Sequence, residues 1–273
     1  MPYSLQGRNV LITGGSRGLG ALVAQKFAAE GSNIAINYMS NKESADNTAA
    51  EIASKYNVKT IVVQGDAGSQ TDCINAVKTT IEQLGGLDVI VSNSGWTKMT
   101  NFGDLDAMDD ADWDKCWNMN VKSSFYLFKA ALPTFNANPE GGAFIITSSI
   151  AVRGYHWQFV QIDKTNSRFL SRESPLLAVV FLTPCQKQLV LIHLMKCLAQ
   201  TQGSKVRVNA VLPGLLLTEW GQQFPKEKIE AWTQKTSLKH VPEVEDTADM
   251  YVTIAKNSSM TGQSVQIDSG FSI

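Results

Sequence analysis

The chain has 273 residues, 44% of them hydrophobic, and a formal net charge of −1 at pH 7. This length and composition suit one large α/β domain with a full hydrophobic core. The near-neutral charge gives no reason to expect nucleic acid or an anionic lipid surface as a partner. No apolar run approaches the ~20 residues that a membrane-spanning helix needs, so no membrane partner is expected either.

Short apolar runs alternate with amphipathic helical stretches along most of the chain. The pattern predicts strands over 8–13, 33–37, 59–64, 88–92, 143–148, 206–211 and 264–267. It predicts helices over 19–30, 43–56, 70–84, 111–134, 188–202 and 244–256. This alternation is typical of a parallel sheet covered by helices on both faces. We therefore predict a single doubly wound, Rossmann-type α/β domain over residues 1–273.

Residues 152–187 interrupt this alternation. The stretch 165–174 is mostly polar, and the apolar run 176–182 that follows carries no charge and ends before Thr183-Pro184. A structureless loop of this length is uncommon inside a compact domain. We interpret it as an atypical insertion, either functional or foreign, whose apolar run favours aggregation and would impair assembly.

The four cysteines and three histidines do not have the spacing of a metal site, so no bound metal is expected. Residues 1–8 do not have the basic-then-apolar pattern of a secretory signal. Together these features predict a cytoplasmic protein with reduced, mostly buried thiols.

Three glycines follow the first predicted strand, at positions 14, 18 and 20, and open the first predicted helix. Such a turn lets backbone N–H groups and a helix N-terminus face a pyrophosphate, whereas bulky side chains would block that approach. The pattern predicts a dinucleotide site rather than an ordinary glycine-rich turn. The predicted contacts in the turn are Gly14, Ser16, Arg17, Gly18, Leu19 and Gly20.

The end of the second predicted strand indicates which dinucleotide binds. Sites for NAD place a carboxylate there to bond the ribose 2′-hydroxyl, but residues 36–41 contain none. Arg17 lies in the glycine turn, where a guanidinium can bond a 2′-phosphate with two N–H groups. Asn37, Ser40 and Asn41 are further candidates for cofactor contact. The pattern favours NADP(H), although Arg17 can also be read as a solvated turn residue.

The glycine spacing and several later motifs resemble the short-chain dehydrogenase/reductase family, in particular its NADP-dependent 3-oxoacyl reductases. The resemblance implies hydride transfer between NADPH and a ketone or secondary alcohol of small size, in a homodimer or homotetramer. It also implies cofactor contacts by residues that follow later strands. These residues are Asp66, Asn93, Gly95, Pro213, Gly214, Leu216 and Thr218.

The same resemblance suggests two catalytic residues. Ser149, after the fifth predicted strand, aligns with the family serine that hydrogen-bonds the substrate carbonyl; without the family it reads as a turn serine. Asn120 aligns with the asparagine that kinks a helix and holds a water in the proton relay; its alternative is a structural mid-helix residue. The substrate itself would be set by the loop 219–236, whose aromatic residues could line a pocket or pack on the sheet.

The chain departs from the family at its proton donor. The family uses a tyrosine, with a lysine one helical turn later that lowers the tyrosine pKa and orients the nicotinamide ribose. The expected lysine falls near Lys187 or Gln188, and Thr183, four residues before Lys187, stands where the tyrosine should be. Three interpretations stay open: a natural insertion with a surrogate acid such as Tyr155, a non-catalytic NADP-binding or scaffold protein, or a retained-intron or misjoined-exon segment.

Overall fold

The computed structural model describes residues 3–98, 104, 106–150 and 182–273. Within these ranges the strands are β1 (Asn9–Ile12), β2 (Asn33–Tyr38), β3 (Thr60–Gln64), β4 (Val89–Ser92), β5 (Gly142–Thr147), β6 (Val206–Pro213) and β7 (Ser264–Ile267). The α-helices are α1 (Gly18–Ala29), α2 (Lys42–Tyr56), α3 (Gln70–Leu84), α4 (Asp110–Trp117), α5 (Ser123–Ala137), α6 (Leu182–Gln202), α7 (Lys226–Lys235) and α8 (Val244–Lys256).

The strands form one parallel sheet in the order β3-β2-β1-β4-β5-β6-β7. Strand β1 lies between β2 and β4, so the direction of strand order changes beside it. In open α/β sheets, ligands bind in the crevice beyond the carboxyl ends of the strands at such a switch point. The predicted fold class, a doubly wound parallel sheet, is confirmed, and its geometry directs attention to the ends of β1, β4 and β5.

Both faces of the sheet are covered, because successive side chains of each buried strand point to opposite sides. Val10 and Ile12 pack into a core shared with α1, α2 and α8. Leu11, between them, packs into the opposite core with α3, α5 and α6. All three side chains are fully buried. Such a side chain stabilises the fold by roughly 1.5–3 kcal/mol, so the cores hold the strand ends rigidly in place.

The helix that was predicted over 111–134 is divided into α4 and α5 by a π-helical turn, Asn118–Lys122. The helix after the insertion begins at Leu182 rather than at 188. Sequence reasoning also missed α7, a helix of ten residues in which none is fully buried. The predicted insertion at 152–187 lies mostly outside the described residues. No described helix is long and apolar enough to cross a membrane.

Candidate cofactor and active site

The glycine turn lies directly beyond β1. Gly14 and Gly18 have φ values of 62° and 55°, in the left-handed region that favours glycine. A Cβ on Gly20 would lie 2.2 Å from the carbonyl oxygen of Gly14, so no larger residue fits there without a shift of the backbone. Helix α1 begins at Gly18 and directs its N-terminus into the turn. The turn therefore fits the pyrophosphate of a dinucleotide, which needs free N–H groups and close approach.

Helix α2 supports the turn from the side. The carbonyl oxygen of Ser16 accepts hydrogen bonds from the hydroxyls of Ser44 (2.7 Å) and Thr48 (3.0 Å). The Asn41 side chain accepts a hydrogen bond from the backbone N–H of Ser44 at 2.9 Å and so caps α2. Ser16 and Asn41 thus have structural contacts of their own. Their contacts with a cofactor stay predictions.

The end of β2 presents one buried and one exposed candidate. Asn37 is buried, and its amide donates to the carbonyl oxygens of Val63 (3.2 Å) and Gly65 (3.0 Å). These bonds fix the adjacent end of β3. Ser40 is exposed and lies just before α2. Of the two, only Ser40 has a side chain open to a ligand in the structure.

Arg17 projects from the glycine turn and is 68% exposed. Its Nη1 lies 3.2 Å from Oε2 of Glu219, which is 70% exposed. Glu219 was not among the predicted site residues. It reaches Arg17 because the loop after β6 passes close to the turn: the Thr218 side chain lies 3.5 Å from a Cβ placed on Gly18. The structure thus brings the turn with Arg17 and Gly18 close to the loop with Thr218 and Glu219, and the contacts of these residues with a cofactor stay predictions.

Asn93 connects three strand ends. Its amide nitrogen donates to the carbonyl oxygen of Thr13 at 3.1 Å. Its Oδ1 accepts a hydrogen bond from the hydroxyl of Thr147 at 3.3 Å. The Thr147 hydroxyl also lies 2.7 Å from that of Tyr251, a fully buried residue of α8. Burial raises the pKa of Tyr251 far above its usual value, so the phenol stays neutral.

Asn120 lies in the π-helical turn and bonds the segment after β4. Its Oδ1 accepts from the backbone N–H of Trp96 at 3.0 Å, and its Nδ2 donates to the Trp96 carbonyl at 2.7 Å. The same nitrogen donates to the Cys116 carbonyl at 2.7 Å. A Cβ on Gly95 would lie 3.0 Å from Asn120 Oδ1. Asn120 therefore positions the chain beside the ends of β4 and β5, and its role in a proton relay stays a prediction.

The other predicted catalytic residues are described to different degrees. Ser149 is half-buried and follows the carboxyl end of β5. The backbone N–H of the preceding residue, Ser148, donates to the carbonyl oxygen of Val211 in β6 at 2.8 Å. Lys187 belongs to α6, whose path is described, but its side chain is not. Tyr155 lies outside the described residues.

The remaining cofactor candidates follow β3 and β6. The Asp66 carboxylate accepts from the Gly68 N–H at 2.8 Å and so shapes the turn before α3. Strand β6 ends at Pro213, and the N–H of Gly214 donates to Ile267 of β7 at 2.8 Å. Leu216 is 8% exposed and packs beneath the loop. All of these residues lie along the carboxyl edge of the sheet, on which a dinucleotide would rest.

The aromatic residues of the loop 219–236 differ in their exposure: some pack against the rest of the chain and others are open to solvent. Trp232 stacks on Phe271 with ring centroids 4.5 Å apart, so the packing interpretation holds for it. Trp220 is 44% exposed and meets Phe224 edge-on at 5.2 Å. In the described part of the chain, no three metal-ligating side chains form a group that could hold a metal ion.

Comparison with known proteins places this site in a family. The family profile described as "short chain dehydrogenase" matches residues 8–160, which is more than half of the chain. The chain belongs to the short-chain dehydrogenase family. A second profile, "Enoyl-(Acyl carrier protein) reductase", matches residues 186–272. The family predicted from the motifs is thus confirmed.

Individual members of the family align along nearly the whole chain. The uncharacterized oxidoreductase YhdF of Bacillus subtilis (strain 168) is 30% identical over 97% of this chain and 84% of the relative. The 3-oxoacyl-(acyl-carrier-protein) reductase FabG of Staphylococcus epidermidis is 25% identical over 96% of this chain and 98% of its own. A short chain dehydrogenase from Burkholderia cenocepacia J2315, solved in complex with NADP, has 26% identity and a TM-score of 0.82, covering 99% of this chain and 100% of the other.

Proposed function

We propose that this short-chain dehydrogenase family member is an NADP(H)-dependent oxidoreductase that interconverts a ketone and the corresponding secondary alcohol. One observation carries the cofactor assignment: an exposed arginine, Arg17, projects from a glycine-rich turn at the N-terminus of α1. The adjoining end of β2, residues 36–41, has no carboxylate that would repel a 2′-phosphate. The family members that are oxidoreductases, and the NADP bound by one of them, support this over the non-catalytic alternative.

The cofactor would lie along the carboxyl edge of the sheet. The turn from Gly14 to Gly20 would hold the pyrophosphate, and Arg17 with Ser40 would meet the 2′-phosphate. Asp66 would lie beside the adenine, and Leu216 and Thr218 beside the nicotinamide. NADPH supplies the hydride when it is bound. The chain keeps these residues in place through the contacts of Ser16 with α2 and of Asn93 with β1 and β5.

On the substrate side, the Ser149 hydroxyl would donate to the carbonyl oxygen and polarise it. Asn120 keeps the segment after β4 close to this point, and Lys187 of α6 would orient the ribose. The oxygen must also receive a proton, and the family tyrosine is missing from its position in this chain. Tyr155 is the candidate surrogate acid.

The substrate class is a small-molecule ketone or alcohol. The similarity to a 3-oxoacyl reductase supports a carbonyl substrate, and it does not identify which one. An insertion at about 152–187 within one domain stays a prediction; the first profile extends to residue 160 and the second begins at residue 186. Assembly as a homodimer or homotetramer, and a cytoplasmic location, stay predictions.

Cofactor titration tests the first part of this proposal. NADPH should bind the full chain more tightly than NADH, and Arg17→Ala should remove most of that difference. A lost charge-assisted bond to the phosphate costs ~1.5–3 kcal/mol. Lys228→Ala, on α7, is a matched control that removes a positive charge elsewhere. Equal affinities of the unmutated chain for the two cofactors would contradict the assignment.

Turnover tests the second part. NADPH oxidation is followed on a panel of ketones, with the unmutated chain and with Ser149→Ala and Tyr155→Phe. General acid catalysis contributes about 10²–10⁴-fold, so Tyr155→Phe should lower the rate strongly if Tyr155 donates the proton. An unchanged rate in Tyr155→Phe would exclude it as the acid. Absence of turnover on every ketone, with NADPH still bound, would instead support the non-catalytic alternative.

A further inference from the structure

The ion pair between Arg17 and Glu219 joins two segments of the cofactor site that lie far apart in the chain. Arg17 precedes α1 in the glycine turn, and Glu219 follows Thr218 in the loop after β6. The guanidinium Nη1 and the carboxylate Oε2 are 3.2 Å apart. The Thr218 side chain lies 3.5 Å from a Cβ placed on Gly18, so the two segments run close together and the Glu219 carboxylate can reach Arg17.

The Glu219 carboxylate pairs with the Arg17 guanidinium, the same group that the proposed function assigns to the 2′-phosphate. Both side chains of the pair are more than two-thirds exposed, and an exposed ion pair is weak and easily exchanged. A phosphate forms stronger, charge-assisted bonds with a guanidinium. A phosphate would therefore displace Glu219 from Arg17, but it would then stand close to an unpaired negative charge.

Lys42, the basic residue that follows β2, is also paired within the chain. Lys42 Nζ lies 2.6 Å from Oδ2 of Asp46, one helical turn later in α2. Thus both Arg17 and Lys42 are paired with a carboxylate of the chain, and a ligand anion would have to compete with it. Of the two carboxylates, only Glu219 belongs to the loop that also carries the nicotinamide contacts.

We propose that Glu219 limits the preference of this protein for the 2′-phosphorylated cofactor, because it holds Arg17 in an ion pair that the 2′-phosphate must break. This inference rests on the proposed NADP(H) dependence. It makes Glu219 a specificity-determining residue, since its charge opposes NADPH more than NADH: only NADPH brings a 2′-phosphate to Arg17. Removing the carboxylate should strengthen binding, which is the opposite of what loss of a direct cofactor contact would do.

The test is a fluorescence titration of NADPH and NADH at low ionic strength, where exposed charges are screened least. Glu219→Gln should bind NADPH roughly two- to five-fold more tightly than the unmutated chain, the range expected for one exposed ion pair, with a smaller gain for NADH. Glu230→Gln, an exposed position on α7, removes the same charge and should change neither affinity. In an Arg17→Ala background, Glu219→Gln should give less than a two-fold gain.

Failure of the inference can be told apart from failure of the proposed function. If the unmutated chain binds NADPH no more tightly than NADH, the cofactor assignment fails and the inference falls with it. If the chain prefers NADPH but Glu219→Gln does not tighten its binding, or tightens NADH equally, the inference alone is overturned. An equal gain in the Arg17→Ala background would also overturn it, because the ion pair would not be the cause.

Discussion

Replacing Gly20 by alanine should damage the cofactor site more than the stability of the fold. The new Cβ would lie 2.2 Å from the Gly14 carbonyl oxygen and 2.7 Å from the amide nitrogen of Asn93. Ordinary contacts are longer than 3.4 Å, so the turn must move by about 1 Å. Such overpacking costs ~1–3 kcal/mol, and the better helix propensity of alanine offsets ~1 kcal/mol. The net loss of stability should therefore be ~0–2 kcal/mol.

The effect on NADPH should be larger, because the moved atoms belong to the turn that would hold the pyrophosphate. Loss of one charge-assisted hydrogen bond, ~1.5–3 kcal/mol, corresponds to a fall in affinity of about ten-fold or more. Gly18→Ala is the matched control: its φ is left-handed, but the nearest side chain is 3.5 Å from the new Cβ. It should cost ~1–2 kcal/mol of backbone strain with a smaller loss of affinity.

NADPH titration, with thermal unfolding of the same samples, measures both effects. Full NADPH affinity in a folded Gly20→Ala protein would refute the assignment of this turn to the cofactor.

Three further outcomes can be measured. Tyr251→Phe should lower the free energy of unfolding by ~0.5–1.5 kcal/mol, because the half-buried Thr147 hydroxyl loses one of its two hydrogen bonds. Tyr126→Phe, at a half-buried position of α5, should have little effect in the same urea titration. Asn120→Ala should lower kcat at saturating NADPH, because the N–H and carbonyl of Trp96 and the carbonyl of Cys116 lose their partner. Asn118→Ala in the same π-helical turn is the control, and an equal effect of both substitutions would contradict the positioning role of Asn120. Burial raises the pKa of Cys73 from about 9 to about 12, so above pH 9 the folded chain keeps a proton that the unfolded chain loses. The free energy of unfolding should therefore fall as the pH rises above 9, by up to ~1.4 kcal/mol per pH unit. Cys73→Ala should make that decline shallower in urea titrations at pH 7, 9 and 10.

Much of the site could be predicted because it depends on local rules. Glycines at 14, 18 and 20, with a strand before them and a helix after them, indicate a turn whose backbone a ligand can approach closely. Asn120 could be singled out by resemblance, but its contacts with Trp96 could not, because they join residues from two different elements. Periodicity alone predicted an uninterrupted helix over 111–134, whereas the resemblance at Asn120 implied a kink, and the structure has a π-helical turn at Asn118–Lys122.

Glu219 and Tyr251 were not predicted at all, and both depend on long-range proximity. A glutamate after a loop threonine has no distinctive pattern, and only the approach of that loop to the glycine turn sets it against Arg17. The pattern of α8 predicts Tyr251 only as a core residue, and the sequence does not indicate that its hydroxyl lies 2.7 Å from that of Thr147. Asn37 illustrates the reverse case, since its position at the end of β2 suggested a ligand contact but its amide is bonded to the backbone of β3 and the turn beyond it.

The sequence by itself determined the alternation of strands and helices, the parallel sheet and the glycine turn, because periodicity and the steric freedom of glycine act over a few neighbouring residues. It also determined that the family tyrosine is missing from its expected position. Only the tertiary structure decided which polar groups are bonded to the fold and which face the carboxyl edge of the sheet. That distinction depends on contacts between residues such as Arg17 and Glu219, separated by 202 positions in the chain, and a linear pattern does not encode such a distance.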